Sequence, residues 1–182
     1  MTEPESVSAS QMPGVPNHFQ HLWTPHRLVY IQNGQQPPDD KCPFCIAPQH
    51  ENEDTLIVYR GKHAYALLNL FPYNSGHLLV CPYRHVSLYD DATPEEVAEI
   101  GEITQTAMKV LRKVSRAQGF NLGMNQGELA GAGIASHLHQ HIVPRWLHDA
   151  NFFPIIAETK ALPRLLGEVR AELHAAWPKP SN

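Results

Sequence analysis

Three histidines at every second position, His137, His139 and His141, run into Ile142, Val143 and Pro144, and they restrict this chain more than any other stretch. Side chains alternate faces along a strand, so positions two apart share a face, whereas in a helix the three rings would fan apart. Leu138, Ile142 and Val143 suit a strand and Pro144 suits its end, so residues 136–144 are predicted to form one. Each imidazole carries two polar nitrogens that need partners. Three of them on one face make a poor core, and a solvated His-rich edge is the bland alternative. The chemical reading is a polyanion site in which one neutral imidazole attacks and its neighbours donate protons.

The rest of the chain supplies a frame for such a strand. Residues 55–59 and 64–70 are apolar and β-branched runs around Arg60, Gly61 and Lys62, a hairpin pattern. Residues 71–76 form a Pro, Asn and Gly turn cluster, and residues 77–82 a continuous apolar strand of the buried kind. Thr93, Pro94 and Glu96 spell a capping box with proline at the first helical position. Val97, Ile100, Ile103, Ala107, Val110, Leu111 and Val114 then recur at helical spacing, with Gly119 as the expected stop. Residues 120–125 read as a strand, 126–133 as a Gly-rich loop, and 162–177 as a second amphipathic helix with Leu165, Leu166, Val169 and Leu173 inward. Several antiparallel strands and one long helix make an α+β domain. A bare edge strand would pair with a second copy, so a homodimer is expected.

Composition narrows the function. The 182 residues, 42% hydrophobic and 18% charged, suit one globular domain. Residues 1–20, rich in Ser, Pro and Glu, are expected to be a flexible tail, leaving 21–182 as a single domain. A net charge of −4 without a basic run argues against long nucleic acid, while leaving a small phosphate ligand open. No apolar run reaches the length of a membrane span, and the acidic N-terminus is unlike a signal peptide. Of three cysteines, Cys42 and Cys45 sit in a Cys-Pro-Phe-Cys knuckle. That pattern suggests a reducing, cytoplasmic setting and either a metal site or a redox pair. Cys81, inside an apolar strand, reads as core.

The histidine strand closely resembles the His-φ-His-φ-His-φ-φ signature of the histidine triad (HIT) superfamily, with Gln140 at a φ position that should face away from the site. Asn69 through the Phe71-Pro72-Tyr73 turn to His77, then Arg84 and His85, the long helix, and residues 120–127 fall in the family's order. The family-like core spans 42–146, followed by a C-terminal helical extension over 159–177. Within the family, the Asn69–His77 stretch, Pro144-Arg145-Trp146 and Trp23-Thr24-Pro25 look most like small bacterial diadenosine tetraphosphate phosphorylases. The resemblance implies a HIT-like antiparallel sheet paired in a dimer. It also implies cleavage of dinucleoside polyphosphates at the α-phosphate through a nucleotidyl-histidine.

By the same resemblance, His139 is the nucleophile, oriented by the main-chain carbonyl of His137, and His141 donates to a phosphate oxygen. His77 is the fourth family histidine, expected near the leaving group. Asn69 matches a ribose partner and Asn125 a phosphate contact, and Gly133 lies in the phosphate-bordering loop before the triad. For both asparagines, simple capping of turns and strand ends is the competing reading. Trp146 either stacks on a base or packs at a strand end. Hydrolytic relatives carry a Gln just before the triad, where this chain has Ala132, Gly133, Ile134 and Ala135. Water and inorganic phosphate both remain open as acceptor. Zinc-bearing relatives complete a Cys-x-x-Cys site with two histidines, here His85 and His137, which implies a structural Zn²⁺ on Cys42, Cys45, His85 and His137. His50 is the nearest rival ligand. The alternatives are a Hint-like nucleoside phosphoramidase, and a nucleotide-binding zinc protein with little turnover.

Overall fold

Where the apolar runs alternate with turn residues, the chain lays down a five-stranded sheet. The computed structural model describes residues 41–50, 55–147, 149 and 164–179. The expected N-terminal tail, the Trp23 stretch and residues 159–163 of the C-terminal extension lie outside those residues. The strands are β1 (Ile57–Arg60), β2 (Ala64–Leu68), β3 (Leu78–Pro82), β4 (Gly119–Gly123) and β5 (Gln140–Arg145). Their order is β1-β2-β3-β5-β4, and every neighbouring pair is antiparallel. Among the described residues three α-helices accompany them: a short α1 (Pro43–Ile46), the long α2 (Pro94–Ser115) and α3 (Leu166–Ala176).

β2 and β3 are buried along their whole length because both faces of the sheet are covered. On one face Val58, Ala66, Leu68, Leu78, Val80 and Ile142 pack with Ile100, Ile103, Ala107 and Leu111 of α2 and with Val169 and Leu173 of α3. On the other, Tyr65, Leu67, Leu79 and Cys81 lie under the knuckle residues Cys42 and Phe44. The strand period of two thus assigns each residue to the helix face or to the knuckle face. Cys81 is fully buried, as its apolar surroundings suggest.

α2 opens as its sequence dictates. The Thr93 hydroxyl accepts from the Glu96 N–H, and the Glu96 carboxylate accepts from the Thr93 N–H. Its end differs from expectation. Arg116, not Gly119, takes the left-handed conformation (φ 55°), and its N–H returns to the Arg112 carbonyl. The chain must turn this early because Ala117 is buried and the Gln118 N–H donates to the Arg145 carbonyl, so Gly119 already opens β4. α3 covers the β1 side, with a His174 ring nitrogen 2.9 Å from the Val58 carbonyl and Trp177 stacked on Tyr59. Leu165, expected inward, is 72% exposed. It stands at the helix cap in extended conformation, where helical periodicity no longer governs it. β4 is left as an edge strand, with Asn121, Leu122 and Gly123 exposed.

Candidate functional site

The histidine strand begins later than its sequence suggests. Of the three rings only that of His141 lies on β5; His137 and His139 precede the ladder. β3 ends at Pro82, which has no N–H to pair with. The Pro82 carbonyl accepts instead from His137 Nε2 at 3.0 Å, and the His137 carbonyl accepts from His139 Nδ1 at 2.7 Å. The Leu138 N–H is taken by the Val86 carbonyl. Side chains have replaced the backbone ladder, and each ring acquires its own orientation.

His137 points into the knuckle. With its Nε2–H on Pro82, its Nδ1 lone pair faces Cys42 Sγ and Cys45 Sγ, each 3.4 Å away. His85 Nδ1 lies 3.2 Å from Cys45 Sγ, and the four ligand atoms fall within 4.8 Å of one another. Tetrahedral zinc with sulfur at ~2.3 Å and nitrogen at ~2.0 Å would set S···N separations near ~3.5 Å. The donor set therefore fits one tetrahedral ion. Burial lowers His137 to about 4, so the ring is the neutral imidazole that a metal requires. Arg84 fixes the neighbouring His85 segment, bonding the Glu96 carboxylate through Nε and Nη2 and the Asp91 carbonyl through Nη2. His50 is not part of the cluster.

His139 is 6% exposed, its ring 5.0 Å from that of Phe44. Burial pushes its pKa below the ordinary imidazole value, against the opposing pull of the His137 carbonyl. Since Nδ1–H donates to that carbonyl, Nε2 carries a lone pair. The ring is a neutral, oriented imidazole with one bare nitrogen.

His141 has the complementary tautomer. The Tyr73 N–H donates to His77 Nδ1 at 3.0 Å, so the His77 proton sits on Nε2, 2.9 Å from His141 Nδ1. His141 therefore accepts at Nδ1 and presents Nε2–H as a donor. His77 is fully buried behind this ring. Its burial suits it to orient His141, in contrast to the expected position at the leaving group.

Around the rings, Asn69 is half-buried: its Oδ1 caps the turn by accepting from the Phe71 N–H, and Nδ2 lies 3.4 Å from His77 Nδ1. Asn69 caps the turn through Oδ1 alone. Asn125 lines a cavity of about 370 Å³ together with Tyr73, Asn121, His141 and Arg145. Gly133 lies partly exposed in the loop before the triad. Trp146 is not at the cavity. It has the strand parity of Ile142 and Pro144, so its ring packs against the helix-face core with Nε1 on the Ser115 carbonyl. The base-stacking expectation is replaced by the packing one. Gln140 shares that face, and its amide donates to Thr104 Oγ1. Sequence reasoning missed Asn74, Arg145 and Asp149 as cavity residues; the parity of Arg145 with His141 was the available signal.

Comparison with known proteins agrees with this geometry. The HIT domain family model matches residues 50–148. The AP-4-A phosphorylase of Mycobacterium tuberculosis is 46% identical over 170 residues, covering 90% of this chain and 87% of the relative. The asymmetrical bis(5'-nucleosyl)-tetraphosphatase of Schizosaccharomyces pombe is 37% identical over 89 residues, 49% of this chain and 48% of that one. Among solved structures, a zinc-bound histidine triad family protein from Mycobacterium smegmatis superposes with a TM-score of 0.62 at 28% identity, covering 76% of this chain and 94% of that one. The family match over more than half the chain, on a sheet that gathers the four histidines of the motif, makes this protein a member of the HIT domain family.

Proposed function

We propose that the protein cleaves dinucleoside polyphosphates, diadenosine tetraphosphate above all, with His139 as nucleophile and inorganic phosphate as the acceptor. The observation that carries this reading is the opposed tautomers of two adjacent rings: His139 offers a lone pair at Nε2 while His141 offers a proton at Nε2. His139 Nε2 attacks the α-phosphorus, the bond to the bridging oxygen breaks, and ATP leaves as adenylyl-His139 forms. The His141 Nε2–H donates to a non-bridging oxygen as charge gathers there. Phosphate oxygen then attacks the adenylyl group, releasing ADP and restoring the neutral ring. Asn125 and Gly133 border the phosphate and Asn69 the ribose. Similarity to an AP-4-A phosphorylase along most of both chains favours phosphate over water.

Zinc is the ion we assign to Cys42, Cys45, His85 and His137. With four protein ligands it would close the tetrahedron and hold the knuckle against the site, leaving no position for a reacting ligand.

The test is to incubate the protein with diadenosine tetraphosphate, with and without phosphate, and identify the products. ADP and ATP in the presence of phosphate are expected, and His139→Ala should lower the rate by about 10³-fold or more. AMP and ATP formed equally well in both arms would overturn phosphorolysis in favour of hydrolysis. Turnover of an adenosine phosphoramidate alone would overturn the substrate class.

A further inference from the structure

β5 sends three side chains to the knuckle face: His141, Val143 and Arg145. Arg145 is four residues beyond His141, about 13 Å along the strand, and both line the same cavity. Opposite His141 on β4 stands Gly123, and a Cβ built there would meet nothing within 4 Å. The space beside His141 is therefore open, and Val143 and Asn121, which lie between the two residues, line the same cavity. An extended chain of phosphates, bound by its α-phosphate at His139 and His141, has a path along β5 that ends at a guanidinium.

That guanidinium is held in place. Its Nε and Nη2 bond the two oxygens of Asp149, and Nη1 bonds Asn121 Oδ1 at 2.8 Å. One N–H remains on each terminal nitrogen beyond those bonds. Asp149 also accepts from Asn74 Nδ2 and the Trp146 N–H, and Asn74 Nδ2 is anchored on the Pro144 carbonyl. The pair is lopsided: the Asp149 side chain is 8% exposed and that of Arg145 46%. The carboxylate also borders the cavity but is mostly buried and its charge is shared among several donors, while the cation is the more exposed of the two. The pull of Arg145 holds the Asp149 carboxyl well below the usual range, so the arrangement persists across physiological pH. A planar, fixed guanidinium with donors to spare suits phosphate oxygens.

We propose that Arg145, positioned by Asp149 and Asn121, binds the distal phosphates of the substrate and sets the preference for longer polyphosphates. This rests on the dinucleoside polyphosphate reading above. The test compares wild type, Arg145→Met and Arg145→Lys on diadenosine tetraphosphate, diadenosine triphosphate and adenosine phosphoramidate, which has no distal phosphates. Arg145→Met should raise KM for the tetraphosphate roughly tenfold, leave kcat within about twofold, and leave the phosphoramidate rate unchanged. Arg145→Lys, which keeps the charge without the fork, should fall between. Thermal melts of each variant show whether it is folded; equal losses on all three substrates, or an unchanged KM ratio between tetraphosphate and phosphoramidate, would overturn the role. If wild type turns over neither dinucleotide, the functional reading fails first. If it does and the variants match it, only the Arg145 assignment fails.

Discussion

Replacing Glu99 by glutamine should weaken the fold by an amount that the hairpin geometry sets. Glu99 projects from α2 into the β1–β2 turn, where Oε1 accepts from the Lys62 N–H at 2.8 Å and Oε2 accepts from the N–H groups of His63 and Ala64. A glutamine has one acceptor oxygen. In its better orientation it keeps the His63 and Ala64 bonds but turns an NH₂ toward Lys62. Bonds to a charged group contribute ~1.5–3 kcal/mol and neutral ones ~0.5–1.5. Two bonds each losing ~1 kcal/mol, and a third at the exposed Lys62 amide exchanged for water at a cost of ~0.5–1 kcal/mol, give about 2–3 kcal/mol, or roughly 5–10 °C in Tm for a chain of this size. The pH dependence supplies a second constraint. Burial raises the Glu99 carboxyl, but the three N–H donors outweigh it and hold the group below its ordinary value. With the folded pKa below the unfolded one, the carboxylate's stabilisation is present above about pH 4.3 and is lost as the pH falls through the folded pKa. Urea unfolding at pH 7 should therefore separate wild type from Glu99→Gln by the full amount, and the gap should narrow below about pH 4. Glu102→Gln, exposed on the same helix, is the control. A gap under ~0.5 kcal/mol at pH 7, or one that does not narrow in acid, would refute the reasoning.

Two further outcomes follow from the site. His77→Phe keeps a ring of similar size but removes both the acceptor for the Tyr73 N–H and the donor to His141; kcat should fall about 10–100-fold with little change in KM, and a kcat within twofold of wild type would show that His141 needs no such support. Stripping metal with a chelator should lower Tm by about 5 °C or more, with recovery on adding zinc. An unchanged melt, with well under one zinc per chain by elemental analysis, would sink the Cys42, Cys45, His85 and His137 assignment.

The parts of this molecule that could be read from sequence are those set by neighbours in the chain. The capping box at Thr93, the α2 face through Ile100, Ile103 and Ala107, and the buried run of β3 depend on local spacing, and they stand where spacing puts them. The parts that shifted depend on distant partners. Arg116 ends α2 because Ala117 must reach the core and Gln118 must meet Arg145 across the sheet. The cavity wall was hidden for the same reason: Asp149 joins Asn74 across 75 positions of sequence, and nothing in the local pattern marks either residue. Trp146 is the instructive case. Its parity with Ile142 already sent it to the helix face, so strand periodicity, pursued two residues further, held the answer that the resemblance obscured.

The period-two pattern of histidines is what made the motif legible, yet the site depends on that pattern being broken. Had the ladder between β3 and β5 continued past Gln140, Leu138 would have paired with Pro82 and the three rings would have stood in equivalent settings along one strand. Pro82 stops it, having no N–H to offer. Its carbonyl takes the His137 proton and turns that ring's lone pair toward the cysteines. The His137 carbonyl takes the proton of His139 and leaves the other ring nitrogen bare. His141, still within the ladder, is instead governed by a buried side chain on the neighbouring strand's approach, His77. One repeated residue type thus yields a lone pair aimed at two cysteines, a bare ring nitrogen and an N–H donor. The difference among them is set by the partner each ring meets: the Pro82 carbonyl, the His137 carbonyl or the His77 side chain.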